Sequence, residues 1–169
     1  MALHGHDVTL RRTTPDDAPG LAAILVEPEV ARWWGVFDLE RVFSDLIEGD
    51  PDEEPYVIEH DGEVVGYIQA VEEPEPDFRH AGIDLFVRTS AQGRGIGPDA
   101  IRTLAAHLID ERGHHRLTID PAAANSRAIA AYAKVGFRPV GMMRQYQRMP
   151  DGRWDEALLM ELLADELVR

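Results

Sequence analysis

Apolar positions along the chain alternate between two periods, and the changes of period mark its elements. Leu21, Ile24 and Leu25 recur at helical spacing, as do Leu39, Val42, Phe43 and Leu46, then Ile101, Leu104, Ala105 and Leu108, and last Ile129, Tyr132 and Ala133. Thr14-Pro15-Asp16-Asp17 supplies the first helix with a capping hydroxyl, a proline and first-turn carboxylates, although Pro19 predicts a late start or a bend. Asn125-Ser126 opens the last helix and Gly136 closes it. Extended stretches separate these helices. Residues 7–12 read as a first strand, and residues 56–60 and 63–71 as a hairpin turning at Asp61-Gly62. Residues 72–79 are acidic and broken by prolines, hence a loop. A central strand follows, in which Ile83, Leu85 and Val87 alternate with Asp84 and Phe86. Residues 116–119 form a short strand ending at Asp120, and residues 137–143 and 154–162 flank the turn Pro150-Asp151-Gly152. The predicted order is β-α-α-β-β-β-α-β-α-β-β, an α/β chain forming a single domain over residues 1–169.

Candidate chemistry concentrates in residues 83–97. Gly95 and Gly97 stand at a helix start, where backbone N–H groups lack partners and the helix dipole is positive, a setting suited to a pyrophosphate. A dinucleotide-binding reading fails on spacing. It needs G-x-G-x-x-G directly after the strand, but five residues separate Val87 from Gly93, and Pro98 stands where the third glycine belongs. Asp84 is a carboxylate inside an apolar strand. Buried alone it would cost several kcal/mol or take up a proton, so it is either paired or exposed to a cleft as a functional group, the reading adopted here. The adjacent indoles Trp33 and Trp34 cannot share one face, so either one points away from the core and marks a binding surface or both pack under a loop.

Composition narrows the partners. The 169 residues are 44% hydrophobic, enough for a sizeable core, and no apolar run approaches the roughly 18 residues of a membrane span. The start, MALHGHDV, has no charged-then-apolar leader, so a cytoplasmic location is expected. The chain has no cysteine, which removes disulfides and thiol chemistry, and its seven histidines form no metal-binding pattern. With 31 acidic residues against 17 basic, the formal charge is −14. Nucleic acid and anionic membrane would be repelled on average; composition leaves open whether the acidity attracts a cationic substrate or only keeps the chain soluble.

Gln92-Gly93-Arg94-Gly95-Ile96-Gly97 resembles the Q/R-x-x-G-x-G/A acetyl-CoA motif of the GNAT acetyltransferase superfamily. Residues 120–137 resemble the same superfamily's D-P-x-x-x-N-x-R-A-I-x-x-Y-x-K-x-G-F pattern. Short matches in the expected order (V-T-L-R-R from Val8, W-W-G from Trp33, G-I-D from Gly82, P-D-G from Pro150) are similar to the aminoglycoside 6′-N-acetyltransferase branch.

The resemblance implies a GNAT fold with a mixed central sheet flanked by helices, acetyl-CoA as acyl donor, and direct attack by a primary amine. It implies that the main chain of Phe86 and Val87 pairs with the pantetheine arm like an added strand. The loop formed by Gln92, Gly93, Arg94, Gly95, Ile96 and Gly97 would hold the pyrophosphate, and Asn125 would bond the cofactor near the pantetheine. Pro98 departs from the family's usual residue and removes one amide donor. Asp84 would act as base on an ammonium whose solution pKa is about 10, and Tyr132 as the acid that protonates the leaving thiolate. Trp33, Trp34, Asp77, Asp84, Asp120 and Asp151 would bind a small cationic amine, most simply the 6′-amine of an aminoglycoside antibiotic. A protein N-terminus, a polyamine, a siderophore hydroxylamine and a CoA-binding module without turnover are the alternatives. Monomer and homodimer are both compatible with the sequence.

Overall fold

The computed structural model describes residues 1–169. One eight-stranded sheet runs through it in the order β1-β2-β3-β4-β5-β6-β8-β7. The strands are β1 (Ala2–His4), β2 (Thr9–Arg12), β3 (Glu53–His60), β4 (Glu63–Glu73), β5 (His80–Val87), β6 (Arg116–Ile119), β7 (Arg138–Arg148) and β8 (Trp154–Leu163). The helices are α1 (Ala18–Leu25), α2 (Pro28–Trp34), α3 (Leu39–Val42, widening into π-helical turns over Phe43–Glu48), α4 (Ile96–Asp110) and α5 (Ser126–Val135). No helix is long and apolar enough to cross a membrane.

Alternation along the strands divides the core in two. Ile58, Ile68 and Ile83 face α4 and join its buried stripe of Ile96, Ala100, Ile101, Leu104, Ala105 and Leu108. Val57, Tyr67 and Phe86 face the other way and pack with Leu21, Leu25, Val30, Val42 and Leu46 of the first three helices.

The predicted order holds with two additions. Strand β1 has a single apolar residue between two histidines, too short for a visible period, and pairs with β2 around Leu3 and Leu10. Helix α2 has only Val30 fully buried, and its paired indoles mask the helical spacing. Pro19 does delay α1: a 3₁₀ turn over Pro15–Asp17, closed by a Thr14–Asp17 capping box, precedes it. In α5 the buried residue is Val135, whereas Ala133 is exposed.

The sheet opens where it matters for function. Every neighbouring pair is antiparallel except β5 and β6, which are parallel and joined only at Ala81–Leu117 and Gly82–Thr118. Beyond Gly82 the two strands diverge, leaving the rest of β5 with an unpaired edge on that side.

Candidate active site

Strand β5 presents this edge toward the gap. Backbone groups alternate sides along an antiparallel strand. Arg88 N donates to Val65 O at 2.8 Å. In the same register Phe86 turns its main chain toward Tyr67 on β4. Leu85 and Val87 therefore face the gap. This corrects the sequence expectation: an added strand would pair with Leu85 and Val87, while Phe86 is engaged in the sheet with its ring buried. Both gap-side carbonyls already have side-chain donors. Trp34 Nε1 donates to Leu85 O at 3.2 Å and Gln92 Nε2 to Val87 O at 2.9 Å, which leaves the two amides turned toward the opening.

At the end of β5 the loop of residues 92–97 delivers the chain into α4. Gly93 (φ 73) and Gly95 (φ 81) adopt left-handed backbone that other residues enter at a cost of about 1 kcal/mol. None of the amides of residues 93–97 has a partner among the loop and cap hydrogen bonds, so five donors stand at the positive end of a 15-residue helix. A β-carbon on Gly95 would meet nothing within 4 Å, whereas one on Gly93 would lie 2.6 Å from Arg127 Nη2. Arg127, in the first turn of α5, is thus a second source of positive charge beside the loop. Its place in the motif of residues 120–137 was visible in the sequence; its approach to Gly93 was not, because the two lie 34 positions apart. Asn125 caps α5, its Oδ1 accepting from Ala128 N at 3.2 Å, which leaves its side-chain N–H₂ available to a ligand.

Three titratable groups converge at the other end of the gap. Asp84 is half-buried opposite Gln69, whose Oε1 accepts from the Tyr67 hydroxyl at 2.7 Å. Burial, then the charge of Asp120, pushes the Asp84 carboxyl up to about 6; the Gln69 amide pulls it back and Glu53 adds to the rise. Burial also raises Asp120, against the Tyr146 hydroxyl, which donates to its Oδ2 at 2.6 Å. The Tyr132 hydroxyl is raised by burial and by the charges of Asp84 and Asp120, so it keeps its proton. A carboxyl raised toward neutrality near a protonated phenol has the chemistry that a base and acid pair requires.

Trp34 packs edge-on against Phe86 at 5.0 Å and Tyr67 at 6.5 Å, pointing inward, while Trp33 lies under the Arg32 guanidinium at 4.5 Å. Trp34 separates two cavities. One, of about 350 Å³, is lined by Asp45, Asp50, Glu53 and Gln69 with Trp34 and Phe37; the other, of about 520 Å³, by Arg41, Gln147, Arg148, Met149 and Pro150 with Trp34. Asp151 sits at the tip of the β7–β8 turn and accepts from Arg153 N at 2.9 Å, next to the larger cavity rather than beside Asp84. Asp77 is not brought to the site. It lies exposed in the turn before β5, where Arg79 donates to the carbonyls of Arg112 and Gly113 beyond the far end of α4. Glu53 and Tyr146 are site residues that sequence reasoning missed, one hidden in an acidic run and the other in a strand whose bulge no local pattern announces.

The Acetyltransferase (GNAT) family model matches residues 21–137, most of the chain. The chain belongs to the GNAT acetyltransferases. The GNAT α/β fold accounts for the mixed sheet and its parted β5 and β6, and acetyl-CoA is the acyl donor these enzymes use. Among curated GNAT relatives, an aminoglycoside N(6′)-acetyltransferase type 1 of Klebsiella pneumoniae is 29% identical over 164 residues, covering 86% of this chain and 79% of the relative. Among solved structures, AAC(6′)-Ib in complex with paromomycin and acetyl-CoA superposes with a TM-score of 0.78 at 28% identity, covering 96% of this chain and 98% of that one. Spermidine N-acetyltransferase from Vibrio cholerae, in complex with CoA and spermine, gives 0.80 at 18% identity over 95% and 97% of the two chains, a likeness of fold alone.

Proposed function

We propose that this GNAT enzyme acetylates a primary amine on a polycationic small molecule, with the 6′-amine of an aminoglycoside as the leading acceptor. The observation that carries the reading is Asp84: a carboxyl raised to about 6, in the mouth of the β5–β6 gap, next to a protonated Tyr132. A module that only bound CoA would need neither group.

The five amides of residues 93–97 and the Arg127 guanidinium fit the pyrophosphate, and the Leu85 and Val87 amides fit the pantetheine as an added strand. When bound, acetyl-CoA supplies a thioester carbonyl to the acceptor nitrogen. Asp84 removes the ammonium proton so that the nitrogen lone pair is free to attack. Tyr132 gives its proton to the departing sulfur; the second proton that the nitrogen sheds as the amide forms and the proton on Asp84 pass to solvent, from which Tyr132 is reprotonated, so one proton is released per turnover. Asp120 holds a second positive charge near the reacting amine, and Glu53, Asp45 and Asp50 offer counter-charges in the smaller cavity for further ammonium groups. Each such pairing contributes on the order of 1 kcal/mol when partly desolvated. The Klebsiella relative, 29% identical, supports this substrate class.

The test is thiol release from acetyl-CoA with kanamycin, an aminoglycoside bearing a 6′-hydroxyl, spermidine and an N-terminal peptide. Turnover of kanamycin but not of the 6′-hydroxyl compound is expected. Faster turnover of spermidine would move the acceptor to polyamines, and turnover of the peptide alone would move it to protein N-termini.

A further inference from the structure

Neither motif accounts for the bond between Tyr146 and Asp120. The tyrosine is 49% exposed, on an edge strand that pairs only with β8 and is exposed along nearly its whole length. Its hydroxyl nonetheless reaches Asp120 Oδ2 at 2.6 Å. The backbone is shaped for that reach. Gln145 takes φ 49, and the β7–β8 register slips between Met143 and Gln147, the kind of bulge that re-aims a side chain. One residue further, Gln147 Nε2 donates to the Trp33 carbonyl at 3.3 Å. The bulge is therefore pinned on both sides of the cleft, to the end of β6 and to α2.

We propose that Tyr146 is a positioning residue for the acceptor: its donation to Oδ2 keeps Asp120 ionised beside Asp84 and leaves Oδ1 to receive an ammonium group. The inference rests on the amine acetyltransferase reading of this site. Two neighbouring carboxylates without a donor would tend to share a proton, and a protonated Asp120 no longer attracts a cation. The groups acting on this pair are Tyr146 from β7, Tyr132 from α5, Glu53 from β3 and Gln69 and Tyr67 from β4, none of them cationic. A phenol suits the task because it stabilises the carboxylate without cancelling its charge. A guanidinium in its place would compete with the substrate.

The experiment measures kcat and KM from pH 5.5 to 9 with kanamycin and with spermidine, for wild type, Tyr146→Phe, Asp120→Asn and the double variant. Tyr146→Phe is expected to raise the acceptor KM roughly tenfold at pH 6.5, with the acetyl-CoA KM unchanged. The effect should shrink toward pH 9, where Asp120 ionises unaided, and vanish in the Asp120→Asn background. An unchanged acceptor KM, or an effect that persists in that background, overturns the proposal. If wild type acetylates neither amine, the reading of function fails, and side-chain carboxyl ¹³C titration decides this inference by itself. A higher Asp120 midpoint in Tyr146→Phe than in wild type supports it; equal midpoints overturn it.

Discussion

The role proposed for Asp84 comes with a thermodynamic penalty. Folding raises its pKa from 3.8 to about 6, so between those values the folded chain holds a proton that the unfolded chain has lost. The stability this confers is fully present below pH 3.8 and is lost as pH rises through about 6; above that, the buried charge opposes folding. Asp84→Asn is therefore expected to raise the melting temperature at pH 8, by on the order of 2 kcal/mol of stability, and to flatten the decline between pH 4 and 6. Calorimetry across that range checks both. If Asp84 is the base, as proposed, the same ionisation would set the acid limb of kcat/KM, which should fall below about pH 6 in wild type. Tyr132→Phe should lower kcat about tenfold to a hundredfold and leave both KM values nearly unchanged, since the hydroxyl is asked only to protonate the departing sulfur; steady-state kinetics at pH 7.5 would show the split. Asp84 and Tyr132 stand out in the sequence because a carboxylate breaks an apolar strand and a tyrosine completes a long motif. Asp77 was misplaced because proximity along the chain to β5 says nothing about which end of the strand a turn occupies.

The elements that hold the cofactor loop are less obvious than the loop itself. Asp99, in the first turn of α4, accepts from the amides of His6, Asp7 and Val8 at 3.1, 2.7 and 3.1 Å, and so moors the β1–β2 turn to the start of the helix. Removing that carboxylate strands three donors, one of them buried. Asp99→Ala should cost about 2–3 kcal/mol in urea unfolding and weaken acetyl-CoA binding measured by calorimetry, because the helix start loses its anchor. Gly93→Ala should weaken acetyl-CoA binding more than Gly95→Ala does. Both strain a left-handed residue, but only the β-carbon at Gly93 also displaces the Arg127 guanidinium. Periodicity disclosed α4 and the β3–β4 hairpin, because each buries a regular stripe, and α5, whose Ile129 and Tyr132 pack half-buried beside the buried Val135. It disclosed neither the mooring by Asp99 nor the bulge at Gln145, which depend on contacts distant in sequence or on a single backbone angle. The pantetheine edge was off by one residue for a related reason: which residues of a strand face its open side is fixed by pairing register, and the amino-acid order does not carry it.

At the scale of the molecule, a charge of −14 and an acidic cavity set the response to salt. A polycationic acceptor, as proposed, would be drawn in by the average field and by local carboxylates, both screened as the Debye length shrinks from about 30 Å at 0.01 M to about 8 Å at 0.15 M. The acceptor KM should therefore rise several-fold over that range, while the KM of anionic acetyl-CoA stays level or falls; initial rates at the two ionic strengths would reveal the opposite trends. The composition indicated the sign of this field, and the fold places Asp45, Asp50 and Glu53 around the smaller cavity. The most direct test of the account compares thiol release from acetyl-CoA with kanamycin at pH 7.5 for wild type and Asp84→Asn, with acetyl-CoA affinity measured on both proteins. The account predicts steady release by wild type, a loss of at least about a hundredfold in the variant, and equal acetyl-CoA affinity. Turnover by Asp84→Asn at the wild-type rate, with acetyl-CoA bound equally well, would contradict it.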